Sequence, residues 1–116
     1  MTPALLDTNI LSAFLKGQPH VVAHMEQHLD TAGRPSISII TYYELLRGLK
    51  ELGNLRKLTD FEDLISRLYV RLLTQRVMRI AADLYVELRR HGQPLEDADI
   101  LIAATALAHD LVLVTD

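Results

Sequence analysis

Ala4-Leu5-Leu6 is an unbroken apolar run that meets Asp7-Thr8-Asn9 without a spacer, and a second apolar series, Ile10, Leu11, Phe14 and Leu15, follows at once. A half-exposed strand alternates apolar and polar residues. An unbroken run instead signals a strand buried on both faces, as in parallel sheets. The second series has the three- and four-residue spacing of a helix begun at Thr8 or Asn9. A buried strand that stops at an acid and passes directly into a helix restricts the chain to α/β architectures. In open sheets of that class, ligands bind beyond the carboxyl ends of the strands, which makes Asp7 a candidate site residue. Asp7 also has a plainer account, because Asp, Thr and Asn are all good helix N-caps.

The same alternation continues downstream. Lys16-Gly17-Gln18-Pro19 is a break, and His20 to Leu29 reads as a short helix with Val21, Val22, Met25 and Leu29 on one side. After a second break at Thr31 to Pro35, Ser36 to Ile40 reads as a second buried strand. Thr41 and Glu44 have the spacing of a capping box, which opens a helix ending near Gly53. Leu55, Leu58, Phe61, Leu64, Ile65 and Leu68 recur as in an amphipathic helix. Tyr69 to Leu73 fits equally the end of that helix or a short strand. Thr74 is placed to cap a helix from Gln75 to Arg90, and His91-Gly92-Gln93-Pro94 is a loop. A last helix has Glu96, Asp97 and Asp99 crowded at its start, and Leu111 to Val114 is a strand that ends in Thr115-Asp116. Strands alternating with helices predict a small parallel sheet flanked by helices on both sides.

At 116 residues the chain is read as one domain, 1–116, able to bury roughly 65% of its unfolded surface. With no cysteine, disulfides, thiolate metal sites and a cysteine nucleophile are all excluded, which suits a reducing cytoplasm. No run of about 18 apolar residues and no basic-then-apolar start are present, so neither a membrane span nor a signal peptide is expected. The net charge of −3 argues against binding nucleic acid by bulk attraction. It leaves room for an enzyme whose acids are concentrated at a metal site.

The acids carry the chemistry. Asp7 and Asp116 each end a strand, Glu44 follows a third strand in the first turn of a helix, and Asp99 opens the helix before the last strand. Singly, each is explained by a cap or by a helix dipole, an effect of about 0.3–1 kcal/mol. Jointly, they would converge on one rim of the sheet. Two carboxylates about 4 Å apart repel by roughly 4 kcal/mol at an effective dielectric of 20, which a divalent cation relieves. Oxygen donors without Cys or clustered His suit a hard ion, Mg²⁺ or Mn²⁺, the ions of phosphoryl chemistry.

Four segments in order, Leu5-Leu6-Asp7-Thr8-Asn9, Thr41-Tyr42-Tyr43-Glu44-Leu45-Leu46-Arg47-Gly48, Gly92-Gln93-Pro94-Leu95 leading to Asp99-Ile100-Leu101-Ile102-Ala103-Ala104-Thr105-Ala106, and Leu113-Val114-Thr115-Asp116, resemble the successive motifs of PIN-domain nucleases. The likeness is closest to the VapC-type ribonuclease toxins of toxin–antitoxin pairs, and it runs from end to end. It implies a PIN-like three-layer sandwich and a Mg²⁺-dependent endoribonuclease (Mn²⁺ in its place), a homodimer restrained by a cognate antitoxin. Its catalytic acids fall on Asp7, Glu44 and Asp99, with Asp116 at the fourth position. Asp7, Asp99 and Glu44 are the implied metal residues, and Thr8, Asn9, Asp97 and Thr115 their supports. The family continues past the fourth acid into a further strand, so the resemblance implies a C-terminally short chain lacking that strand.

Other features receive blander readings. Arg47 and Arg71 are read as solvated, although an RNA backbone passing nearby is the alternative. His20, His24 and His28 recur every four residues and are read as the solvated face of their helix rather than a ligand row, with His91 and His109 elsewhere. Surplus apolar surface on Leu55–Leu68 and Gln75–Leu88 is assigned to the core first, and to a dimer or antitoxin contact second. The rival to a nuclease is a non-catalytic PIN-like scaffold or binding module whose acids are only caps. A phosphoaspartate receiver is disfavoured, because there is neither an acid pair near the first strand nor a lysine beyond position 57.

Overall fold

A computed structural model of the chain describes residues 3–31 and 33–115. The apolar run at the start forms the strand β1 (Ala4–Leu6), and all three of its residues are buried. It pairs in parallel on one side with β2 (Ser36–Ser38) and on the other with β4 (Val112–Val114), while β3 (Tyr69–Arg71) pairs with β2. The order across the sheet is thus β3-β2-β1-β4. Being central explains the lack of alternation in β1: neither face of that strand meets water.

Register fixes what each face carries. Leu5 stands opposite Ser36 and Leu113, and Leu6 opposite Ile37 and Val114. Ala4, Leu6 and Ile37 pack against Leu11 of α1 (Thr8–Leu15), Met25 of α2 (Pro19–Thr31) and Leu64 of α4 (Leu55–Ile65). On the opposite face, Leu5 packs against Ile102 and Ala106 of α6 (Asp97–Ala108). The outermost layer, α5 (Gln75–Arg90), covers α6 through Val77 and Ala81 against Ile100, Ala104 and Ala108. The result is the expected α/β sandwich of helices, sheet and helices. Leu5, Leu11, Ile37, Phe61 and Val77 have no exposed surface, and burying each such side chain contributes about 1.5–3 kcal/mol.

Local signals account for most element ends. Thr74 caps α5, its Oγ1 accepting from the amide of Val77 at 3.2 Å. Gly53 closes α3 (Ile39–Leu52) in the left-handed region at φ 68°, a conformation that costs glycine little. Two readings need correction. The second strand ends at Ser38 rather than Ile40, because Ser38 caps α3 itself, its Oγ accepting from the Ile40 amide at 3.1 Å. The helix thus starts ahead of Thr41, so Thr41 and Glu44 form no capping box. Tyr69 to Arg71, left open between helix and strand, is a strand, with the Tyr69 amide donating to Pro35 O at 2.9 Å.

The surface readings also shift. His20 and His24 are exposed, but His28 turns inward: its Nε2 is buried and has no hydrogen-bond partner among the described residues. With His24 it lines a hollow made by Ala4, Leu6, Val21, Met25 and Val114. Arg71 is not simply solvated either. It is partly buried, donates from Nε to Ser36 Oγ at 3.0 Å and lies over the Tyr69 ring, as does Arg34. Arg47 remains exposed, over the ring of Tyr43. Among the described residues, no helix is long and apolar enough to cross a membrane.

Candidate active site

After β1 the chain goes to β2 and β3 on one side of the sheet, and then to β4 on the other. The carboxyl ends of β1 and β4 therefore border the crevice where the connections diverge, the place at which open α/β sheets bind ligands. Asp7 sits there by construction. Its amide donates to Val114 O at 3.0 Å, and its Oδ1 accepts from the Ile10 amide at 2.8 Å, capping α1. Asp7 therefore caps α1 and lines the crevice at once; the plain account of it as a cap holds.

Two further acids reach the same crevice from other elements. Asp99 lies in the first turn of α6, and Ile102 and Ala103, three and four residues on, share its face. Glu44 projects from the second turn of α3. A cleft of about 330 Å³ is lined by Asp7, Thr8, Asn9, Glu44, Asp99 and Thr115, with Leu95, Ile102, Ala103 and Leu113 as its apolar wall. Glu44 is fixed in it by the Thr8 hydroxyl, which donates to Oε1 at 2.8 Å. That hydroxyl also lies 3.1 Å from the hydroxyl of Thr41, which is completely buried.

Of the residues anticipated from the sequence, Asp7, Glu44, Asp99, Thr8, Asn9 and Thr115 are brought together. Asp97 is not. Two residues before Asp99 on the same helix, it lines a separate hollow between α5 and α6 with Met78, Tyr85 and Val86. Asp116 lies outside the described residues. Thr41 was read only as a cap, and nothing local in the sequence signals its contact with Thr8, 33 residues away.

The carboxylates of Asp7 and Asp99 stand at helix N-termini, where the helix dipole favours negative charge by about 0.3–1 kcal/mol each. Among the described residues, no three His, Asp or Glu side chains are gathered tightly enough to hold an ion between them. What the cleft offers is an open wall of oxygen donors. Such a set fits Mg²⁺, which binds through one or two carboxylates and keeps several of its waters. Beyond Glu44 the surface dips again into a larger hollow of about 460 Å³ between α1, α3 and α4, with Leu15, Leu45, Leu49 and Leu52 on its walls.

The family model described as PIN domain matches residues 4–116. The chain belongs to the PIN-domain family. Within that family its relatives are VapC-type proteins. It is 30% identical to Ribonuclease VapC19 of Mycobacterium tuberculosis, over 96% of this chain and 86% of that one. It is likewise 30% identical to Ribonuclease VapC1 of Haemophilus influenzae, over 96% of this chain and 84% of the other. Among solved structures, DNA-bound VapBC from Salmonella typhimurium superposes with a TM-score of 0.86 at 31% identity, covering 97% of this chain and 85% of that chain. This PIN domain thus carries the VapC-type fold, with Asp7, Glu44 and Asp99 lining the cleft at the ends of β1 and β4.

Proposed function

We propose that this PIN domain is a Mg²⁺-dependent endoribonuclease and the toxin of a type II toxin–antitoxin pair. One observation carries the reading: Asp7, Glu44 and Asp99, from three separate elements, line a single cleft at the point where the strand order reverses. A set of mere caps has no need to converge. The bond from Thr8 to Glu44 serves no helix terminus, which counts against the non-catalytic scaffold.

In this reading Asp7 and Asp99 hold the ion, directly or through water. When bound, Mg²⁺ lowers the pKa of a water and offsets charge developing on the phosphate. Glu44 adds its negative charge to that ion site and orients the attacking water. Its Oε1 is engaged by Thr8, and Oε2 has no hydrogen bond among the described residues, so one oxygen is anchored and the other is presented. The water oxygen bonds to phosphorus as the bond to the leaving ribose oxygen breaks. A proton lost from the water is balanced by one gained at the leaving oxygen. Asn9 and Thr115 offer neutral hydrogen bonds to the RNA backbone at the cleft mouth.

The proposed partners are RNA, a second copy of the chain and a cognate antitoxin, all met in the cytoplasm. The VapBC relatives are toxin–antitoxin assemblies, and exposed apolar residues such as Leu52, Leu55, Met78 and Val86 supply surface for protein contacts. The decisive experiment incubates purified chain with structured RNA in Mg²⁺, with and without chelator, beside Asp7→Asn. Cleavage that stops in both controls supports the reading; cleavage indifferent to both overturns it.

A further inference from the structure

The hydroxyl of Thr41 is fully buried, yet it points at no helix end and no longer belongs to a capping box. It lies 3.1 Å from Thr8 Oγ1, a contact in which either hydroxyl is free to donate when the pair is considered alone. The third member removes that freedom. Thr8 Oγ1 is also 2.8 Å from Glu44 Oε1, and a carboxylate offers only lone pairs. Thr8 has one hydroxyl hydrogen, and Glu44 takes it. The proton between the two threonines must then come from Thr41.

The chain therefore runs one way: Thr41 donates to Thr8, and Thr8 donates to Glu44. We propose that Thr41 is a positioning residue that sets the orientation of the Glu44 carboxylate in the cleft through the hydroxyl of Thr8. The inference rests on the nuclease reading for its catalytic consequence, but not for its geometry. Donation from Thr41 pins the Thr8 rotor with its hydrogen toward Glu44, and it polarises that O–H so that it donates more strongly. Without it, the Thr8 hydroxyl is free to rotate about its C–O bond and Glu44 to leave its place. Thr41 and Glu44 are one helical turn apart on α3, while Thr8 opens α1 directly after Asp7. The relay thus ties the second acid to the backbone that carries the first.

The test is a double-mutant cycle read by Mn²⁺ binding at equilibrium as well as by RNA cleavage. Thr41→Val keeps the shape and removes the donor; Thr41→Ser restores the donor. In the wild-type background Thr41→Val should weaken Mn²⁺ binding several-fold and lower kcat roughly ten- to a hundredfold, with KM for RNA nearly unchanged. Thr41→Ser should recover both to within about threefold. In a Glu44→Ala background the effect of Thr41→Val should vanish, because a residue acting through Glu44 has nothing left to position. Should Thr41→Val fail to fold, Thr41→Ala, which favours the helix, replaces it in the cycle. Equal effects of the substitution in both backgrounds, or no effect in either, overturn the proposal. Asp7→Asn run alongside separates the two ideas: full cleavage by that variant defeats the assignment of the acidic cleft as the catalytic metal site, while the coupling of Thr41 to Glu44 in Mn²⁺ binding is scored independently.

Discussion

The amide of Asp7 donates to the carbonyl of Val114 across 3.0 Å, extending the β1–β4 ladder one residue past the end of β1. The first acid of the cleft is thereby held by the sheet on its backbone and by α1 on its side chain. Neither constraint depends on a bound ion, so its position is set before any ligand arrives.

Replacing Asp7 therefore separates two roles. Asparagine is also a good N-cap, so Asp7→Asn should keep the helix start and change unfolding free energy by less than about 0.5 kcal/mol. Asp7→Ala loses the cap as well and should cost about 1 kcal/mol more. Both should abolish saturable Mn²⁺ binding and lower RNA cleavage by at least roughly a hundredfold. Urea denaturation and metal titration of the two variants, measured together, check the split.

Leu5 has no exposed surface and joins the sheet to α6 through Ile102 and Ala106. Leu5→Ala should cost about 2–5 kcal/mol, the range for a cavity in a packed core. The same change at the exposed Leu55 should stay within about 0.5 kcal/mol. Chemical denaturation of the two variants gives the comparison directly.

His28 presents a buried ring nitrogen with no hydrogen-bond partner among the described residues, between apolar side chains of β1 and α2. Desolvating such an atom without a hydrogen bond works against folding. His28→Leu should stabilise the protein by about 1 kcal/mol, read as a higher urea midpoint with an unchanged slope. A lower midpoint would show that the imidazole has a partner in solution.

Desolvation by the surrounding chain, and then the nearby Arg71 and Arg76 guanidiniums, hold His109 below the ordinary histidine value of 6.5. The unfolded chain then takes up the proton more readily than the folded one. Stability should fall as the pH drops through 6.5 and continue falling to the lower folded-state value; above 6.5 the group has no effect. His109→Gln should flatten that acid limb. Unfolding free energies at neutral and mildly acidic pH, compared between wild type and variant, test the sign.

Much of this architecture was legible because its signals are local. Thr74 before Val77 and Gly53 after Leu52 each declare a helix boundary within four residues, and both boundaries fall as read. The unalternating Ala4–Leu6 announced a strand covered on both sides. What failed to show is equally physical. Ser38 and Thr41 are both competent caps three residues apart, and local chemistry does not rank them. Asp97 and Asp99 are similar acids in one turn; only the orientation of α6 against the sheet turns one toward the cleft and the other away. Glu44 could not reveal its partner, since Thr8 lies 36 residues upstream.

Each strand of this sheet is only three residues long. Leu6 is 3% exposed and buried in the apolar centre, and Asp7, the next residue, already lines the cleft. One peptide unit separates oil from chemistry. A longer strand would cushion its tip against repacking underneath, and here no such cushion exists. Evolution of this molecule is thereby constrained twice at the same place: a substitution that loosens the interior also misaims the carboxylate above it, so robustness and activity must be tuned together.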